Sequence, residues 1–142
     1  MIKFQPVNKK DILKFWDSLE PLLNKAVLLD SDTYGIESLK LALQQGTYSV
    51  WVAYDDESPR DILGAITTRI LKVASGRKGI SIDFIGGTRM REWIDIGHES
   101  IENLAKTNNC SFIQGYGRRA WEKYNKFGWK KIHTTYRKDL QL

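Results

Sequence analysis

The sequence predicts a single α+β domain with the element order βααβββαβαβ. Three observations carry this. Residues 48–56 and 61–74 are rich in β-branched and aromatic residues and meet across a break containing Pro59, which reads as a hairpin. Apolar residues repeating at three and four flank this block, in residues 12–23 and again in 93–105, as amphipathic helices do. The last quarter passes from a strand-like SFIQGYG through a helix-like RRAWEKYNKFGW to an alternating WKKIHTTYRKDL.

In chain order, residues 2–7 form a short strand, with Pro6 placing it at a sheet edge or near its own end. Asn8 caps the first helix, whose apolar face is Ile12, Phe15, Trp16, Leu19, Leu22 and Leu23, and Pro21 kinks or divides it. A second helix starts at Thr33 or Ile36 and runs to about Gln45, with Asp32 as candidate cap, Leu39, Leu41 and Leu43 apolar, and Gly46 as terminator. After the hairpin comes a third strand of this block, residues 79–87, whose inward set is Ile80, Ile82 and Phe84 or the alternate register. A long helix over residues 88–107 places Trp93, Ile94, Gly97, Ile101, Leu104 and Ala105 on one face. The strand at 111–117 follows. Trp121, Tyr124 and Phe127 with Ala120 then stripe the last helix, and Gly128 fits the left-handed position that closes it before the last strand.

At 142 residues the chain buries enough surface to fold as one domain without staples. Its single Cys110 has no disulfide partner within the chain and no metal-ligand neighbour at short spacing; it reads as a small buried hydrophobe rather than a reactive thiol, in a reducing interior. No metal site is expected. No leader is visible and no apolar run approaches bilayer length, so the expectation is a soluble cytoplasmic protein with no membrane partner.

The segment YNKFGW, with Ala120 four residues before its tyrosine, resembles the A-x-x-x-Y-E-K-x-G-F segment of the GNAT superfamily of N-acetyltransferases. The resemblance extends to the element order over nearly the whole chain. It implies a central, mixed, mostly antiparallel sheet with helices on both faces, in which two parallel neighbours, around residues 80–85 and 111–116, splay apart to admit acetyl-CoA. It also implies transfer of an acyl group to an amine on a small molecule or a protein. By the same resemblance Tyr124 matches the tyrosine that protonates the departing thiolate, whereas a tyrosine on an apolar helical stripe is otherwise a packing residue.

Family members bind pyrophosphate in a glycine-spaced loop at a helix N-terminus. The corresponding IGGTRMREW lacks that spacing. The resemblance puts the cofactor along Phe84, Ile85, Gly86, Gly87, Thr88, Arg89, Met90 and Arg91, with Arg118 adding charge; the residues alone read equally as a bulge and turn ending a strand. Asp83 is the candidate general base if it points into the cleft, with Ile82 and Phe84 facing the other way, or else a carboxylate on the solvent face. His98 and His133 are alternative bases that read as surface residues.

Charge is uneven: residues 118–138 carry eight basic side chains against Glu122, although the whole chain is only +5. With Trp121, Tyr124, Trp129 and Tyr136 interleaved, this end suits CoA phosphates, another polyanion or an acidic protein surface, or is a solvated basic face. An exposed last strand could also pair across a homodimer. The run from Gly115 to Leu140, with Gly117 where GNAT enzymes have asparagine, is similar to small GNAT-like proteins of tailed bacteriophages. That similarity implies a second reading, a protein without catalysis that serves as a virion component or interaction module.

Overall fold

The computed structural model describes residues 1–28, 35–58, 61–116 and 127–141. Five strands form one sheet in the order β1-β2-β3-β4-β5: β1 (Ile2–Pro6), β2 (Ser49–Asp55), β3 (Ile62–Lys72), β4 (Lys78–Gly87) and β5 (Phe112–Gly115). The first four pair antiparallel in sequence, and β5 joins β4 in parallel after a helical crossover. Pro6 ends β1 at the sheet edge, where its missing N–H breaks no ladder.

Helices α1 (Ile12–Leu28) and α2 (Ile36–Gln45) cover one face, and α3 (Met90–Thr107) covers the other. Under α1 and α2 the core is built on Ile12, Leu19, Leu23, Leu39, Leu43 and Val50. Beneath α3 it is built on Ile66, Ile80, Trp93 and Ile101. The α+β class, the two-faced sheet and the first eight elements agree with the sequence expectation.

Local departures have physical reasons. Helix α1 runs undivided through Pro21, an exposed position. Asn8 caps a short 3-10 turn at Lys9–Asp11 that leads into α1, its Oδ1 accepting the Lys10 N–H at 3.0 Å. In α2 the buried stripe is Leu39, Ala42 and Leu43, the three-four spacing of a helix; Leu41, expected inside, is exposed. Gly46 closes α2 at φ +81° as expected, whereas Asp32 and Thr33 lie outside the described residues. The anticipated last helix falls largely in residues 117–126, also outside them.

The predicted last strand is a correction. Residues 128–141 form no strand among the described residues, and Ile132, Tyr136 and Leu140 are exposed. Alternation qualifies a segment for a sheet, but a strand exists only with a ladder partner.

Candidate functional site

Strands β4 and β5 are in register from Gly79 opposite Phe112 to Ile82 opposite Gly115, and the last bond between them is Tyr116 N–H to the Ile82 carbonyl at 3.2 Å. Strand β4 runs on to Gly87. Beyond Ile82 its β5-side edge has no ladder partner among the described residues. Trp129 stands beside the end of this ladder, its ring 3.8 Å from where a Gly115 Cβ would lie.

The described ladder ends at a bulge in β4. Between the pairs Thr68–Ile82 and Ile66–Ile85, β4 has two residues, Asp83 and Phe84, opposite the single Thr67. Thr67 secures the extra residue: its buried Oγ1 accepts the Phe84 N–H at 3.1 Å and donates to the Phe84 carbonyl at 3.4 Å. The bulge breaks the strand's alternation. Ile80, Ile82 and Ile85 face α3, whereas Phe84 enters the core beneath α1. Asp83 was expected opposite both Ile82 and Phe84; its partners Tyr48 and Arg69 put it on the α1 side, with Phe84.

Asp83 is nearly buried, at 8% exposure. Its Oδ2 accepts from the Tyr48 hydroxyl at 2.8 Å and from Arg69 Nε at 2.5 Å, and its Oδ1 from the Ser81 hydroxyl at 2.6 Å. Arg69 also lies over the Tyr48 ring, 5.7 Å from its centroid. The hydrogen bond to Asp83 raises the Arg69 pKa above the ordinary arginine value, against its partial burial. This cluster joins the start of β2, β3 and β4 where the β4–β5 ladder ends.

Of this cluster the sequence singled out Asp83 and not Tyr48, Arg69 or Ser81. One signal was available: Arg69 shares strand parity with buried Ala65 and Thr67, and a charge at such a position calls for a counter-charge.

Past the bulge, Gly86 and Gly87 are explained by packing within the chain. A Cβ on Gly86 would lie 2.1 Å from the Leu22 carbonyl oxygen of α1. One on Gly87, at φ +146°, would lie 2.4 Å from the Leu63 carbonyl oxygen. The loop is pinned from both sides: Thr88 N–H donates to Leu63 O and the Trp93 indole N–H to Thr88 O, each at 2.8 Å. Trp93 reaches this position because Gly64 leaves room for its ring.

As a phosphate site, the loop offers the N-terminus of α3 with exposed Thr88, Arg89 and Arg91. Met90 is half-buried against the α3 core, as is Ile85. Arg89, held at φ +53°, turns its guanidinium onto Glu92 through Nε and through a second nitrogen at 2.7 Å. That pairing holds the Glu92 carboxyl below its usual range. The donor set suits an anion at Thr88–Arg91, with the Glu92 carboxylate as a built-in competitor for Arg89.

Tyr124 and Arg118 lie outside the described residues, as does Gly117. The chain re-enters at Phe127, which stacks on His98 of α3 at 4.0 Å between ring centroids. Gly128 takes the left-handed φ of +84° anticipated for a helix stop. Trp129 Nε1–H then donates to His98 Nε2 at 3.1 Å. His98, expected on the surface, is thus covered, and burial lowers its pKa. His133 is exposed. Cys110 is half-buried against the α3 core. Among the described residues there is no cluster of side chains able to hold a metal ion, and no helix long and apolar enough to cross a membrane.

No family model and no curated protein matches the chain. Solved structures do. An aminoglycoside acetyltransferase, meta-AAC0020, from an uncultured soil metagenomic sample in complex with sisomicin superposes with a TM-score of 0.67 at 15% identity, covering 99% of this chain and 97% of its own. A second soil metagenomic aminoglycoside acetyltransferase, HMB0005, gives 0.70 at 15%, with 99% of each chain covered. Ribosomal-protein-alanine N-acetyltransferase from Brucella melitensis biovar Abortus 2308 gives 0.66 at 15%, covering 99% and 100%. At such identities the likeness is one of fold: the chain has the fold of these acetyltransferases over its whole length.

Proposed function

We propose that this chain is an acetyl-CoA-dependent N-acyltransferase acting on an amine of a small molecule or protein, in the cytoplasm. The observation that carries the reading is the β5-side edge of β4, which has no ladder partner beyond Ile82 among the described residues and leads into a helix N-terminus bearing Arg89 and Arg91. Bound there, acetyl-CoA would supply an acyl group activated as a thioester. The α3 amides with Arg89 and Arg91 would hold its phosphates, Arg118 would add charge by the resemblance, and β4 from Asp83 to Gly87 would offer backbone groups to its arm.

The proton work falls to two residues. Asp83 is the base that takes a proton from the acceptor's ammonium. Its Oδ2 is occupied by Tyr48 and Arg69, but among the described residues Oδ1 accepts only from Ser81, and a carboxylate oxygen takes two bonds. Tyr124 is the acid that returns a proton to the departing sulfur, a role resting on the resemblance of YNKFGW to the GNAT motif.

The first test is binding. Acetyl-CoA at high micromolar concentration should raise the melting temperature, since a ligand selective for the folded state stabilises it. Given binding, Tyr124→Phe should lower turnover at least about tenfold with the melting temperature unchanged, and an unaltered rate removes Tyr124 from the mechanism.

A second reading, a non-catalytic GNAT-fold protein of a tailed bacteriophage, is favoured by one observation. Residues 130–141 are exposed, with Lys130, Lys131, Arg137 and Lys138 among them. They present a basic surface to a polyanion or an acidic protein, and a segment that joins no strand among the described residues could bridge a homodimer. No melting shift with acetyl-CoA, together with DNA binding that weakens steeply between low and moderate salt, selects this reading.

A further inference from the structure

We propose that Arg69 is a carboxylate-binding fork, and that the acceptor is an amino acid: an amine carrying a carboxylate a few bonds away. The amine half of this inference rests on the transferase reading; the carboxylate half rests on the cluster itself.

An arginine whose whole task is to neutralise a carboxylate meets both of its oxygens through two nitrogens, the bidentate arrangement that planar geometry favours. Arg69 does not. It donates from Nε alone to Asp83 Oδ2, and Asp83 Oδ1 is left to Ser81. Neither terminal Nη has a hydrogen-bond partner among the described residues, although the side chain is 30% exposed. The guanidinium is nonetheless fixed in position. Its inner edge is tied to a nearly buried aspartate and its face lies over Tyr48. A guanidinium held at one edge and unpaired at the other is pre-organised for a planar anion, because little side-chain entropy remains to be lost on binding.

The neighbourhood sets the ligand's length. Asp83, the group suited to an ammonium, is bonded directly to Arg69, so one molecule reaching both has its charges only a few bonds apart. An α- or β-amino acid meets this requirement. Aminoglycosides and polyamines bring several ammonium groups and no carboxylate, and would leave Arg69 beside uncompensated positive charge.

The test is binding without acetyl-CoA. Melting temperature and NMR titration are followed with the proteinogenic amino acids, β-alanine, their carboxamides and sisomicin. At least one free acid should bind at millimolar concentration or better, with its carboxamide weaker by about tenfold or more. Arg69→Gln should abolish the preference for acid over amide. Arg69→Lys keeps the charge beside Asp83 and guards against a merely unfolded variant; it should retain the fold and lose most of the preference. Equal binding of acids and amides, no binding of any free acid, or an undiminished preference in folded Arg69→Gln overturns the proposal. The two readings fail separately. An acid preference without an acetyl-CoA shift leaves the fork and removes the transferase; acetyl-CoA turnover on sisomicin, with no acid preference, does the reverse.

Discussion

At Gly86 a side chain is excluded by backbone rather than by a neighbouring side chain that could swing away. A Cβ would stand 2.1 Å from the Leu22 carbonyl oxygen, so Gly86→Ala must push α1 off the sheet. The expected loss is about 2 kcal/mol, roughly 4–8 °C in melting temperature. A variant that melts with the parent would show that α1 yields freely there. The double glycine was legible as special, but two explanations competed for it, and only the position of α1 decides what each Cβ would strike. Asp83 was likewise legible as an acid inside an apolar strand. Its orientation was not, because the inserted bulge residue leaves no mark in GISIDFIGG and is visible only against Thr67 on the neighbouring strand.

At the scale of elements, the β4–α3 junction balances helix stability against anion binding. Glu92 in the first turn of α3 suits the helix dipole and also holds Arg89. Replacing it by glutamine should lower stability slightly and tighten acetyl-CoA binding roughly two- to fivefold at low salt. Calorimetric titration measures this, and weaker binding would show that Glu92 positions Arg89 rather than competing for it. The same scale explains what sequence could read. Helices α1 and α3 and the hairpin announce themselves through periodicity, because their burial pattern is internal to each element. The segment after Gly128 has the alternation of a strand but takes its structure from whatever ladder it joins, and that partner is not written in its own residues.

Across the molecule, the C-terminal segment is fastened to the body through His98. Trp129 donates to Nε2, so this nitrogen must be unprotonated, and Phe127 stacks on the same ring. Burial depresses the His98 pKa below 6.5, while Glu102 and Asp95 of the same helix oppose that depression more weakly. Glu102 lies 3.4 Å from Nδ1 and shares its charge with Lys106; Glu99 and Asn103 also border the site. The sign follows from the folded state preferring neutral imidazole. The contribution of this contact is complete above pH 6.5 and is lost as pH falls through the depressed folded value, where protonation removes the acceptor for the Trp129 indole. Limited proteolysis should therefore cut beyond residue 127 faster below pH 6 than at pH 8, and His98→Gln should flatten that dependence. Release at low pH would also withdraw Trp129 from beside Gly115 at the end of the β4–β5 ladder, so acetyl-CoA binding should change over the same interval. A cleavage rate indifferent to pH, or a dependence that survives in His98→Gln, would mean that something other than this imidazole fastens the segment.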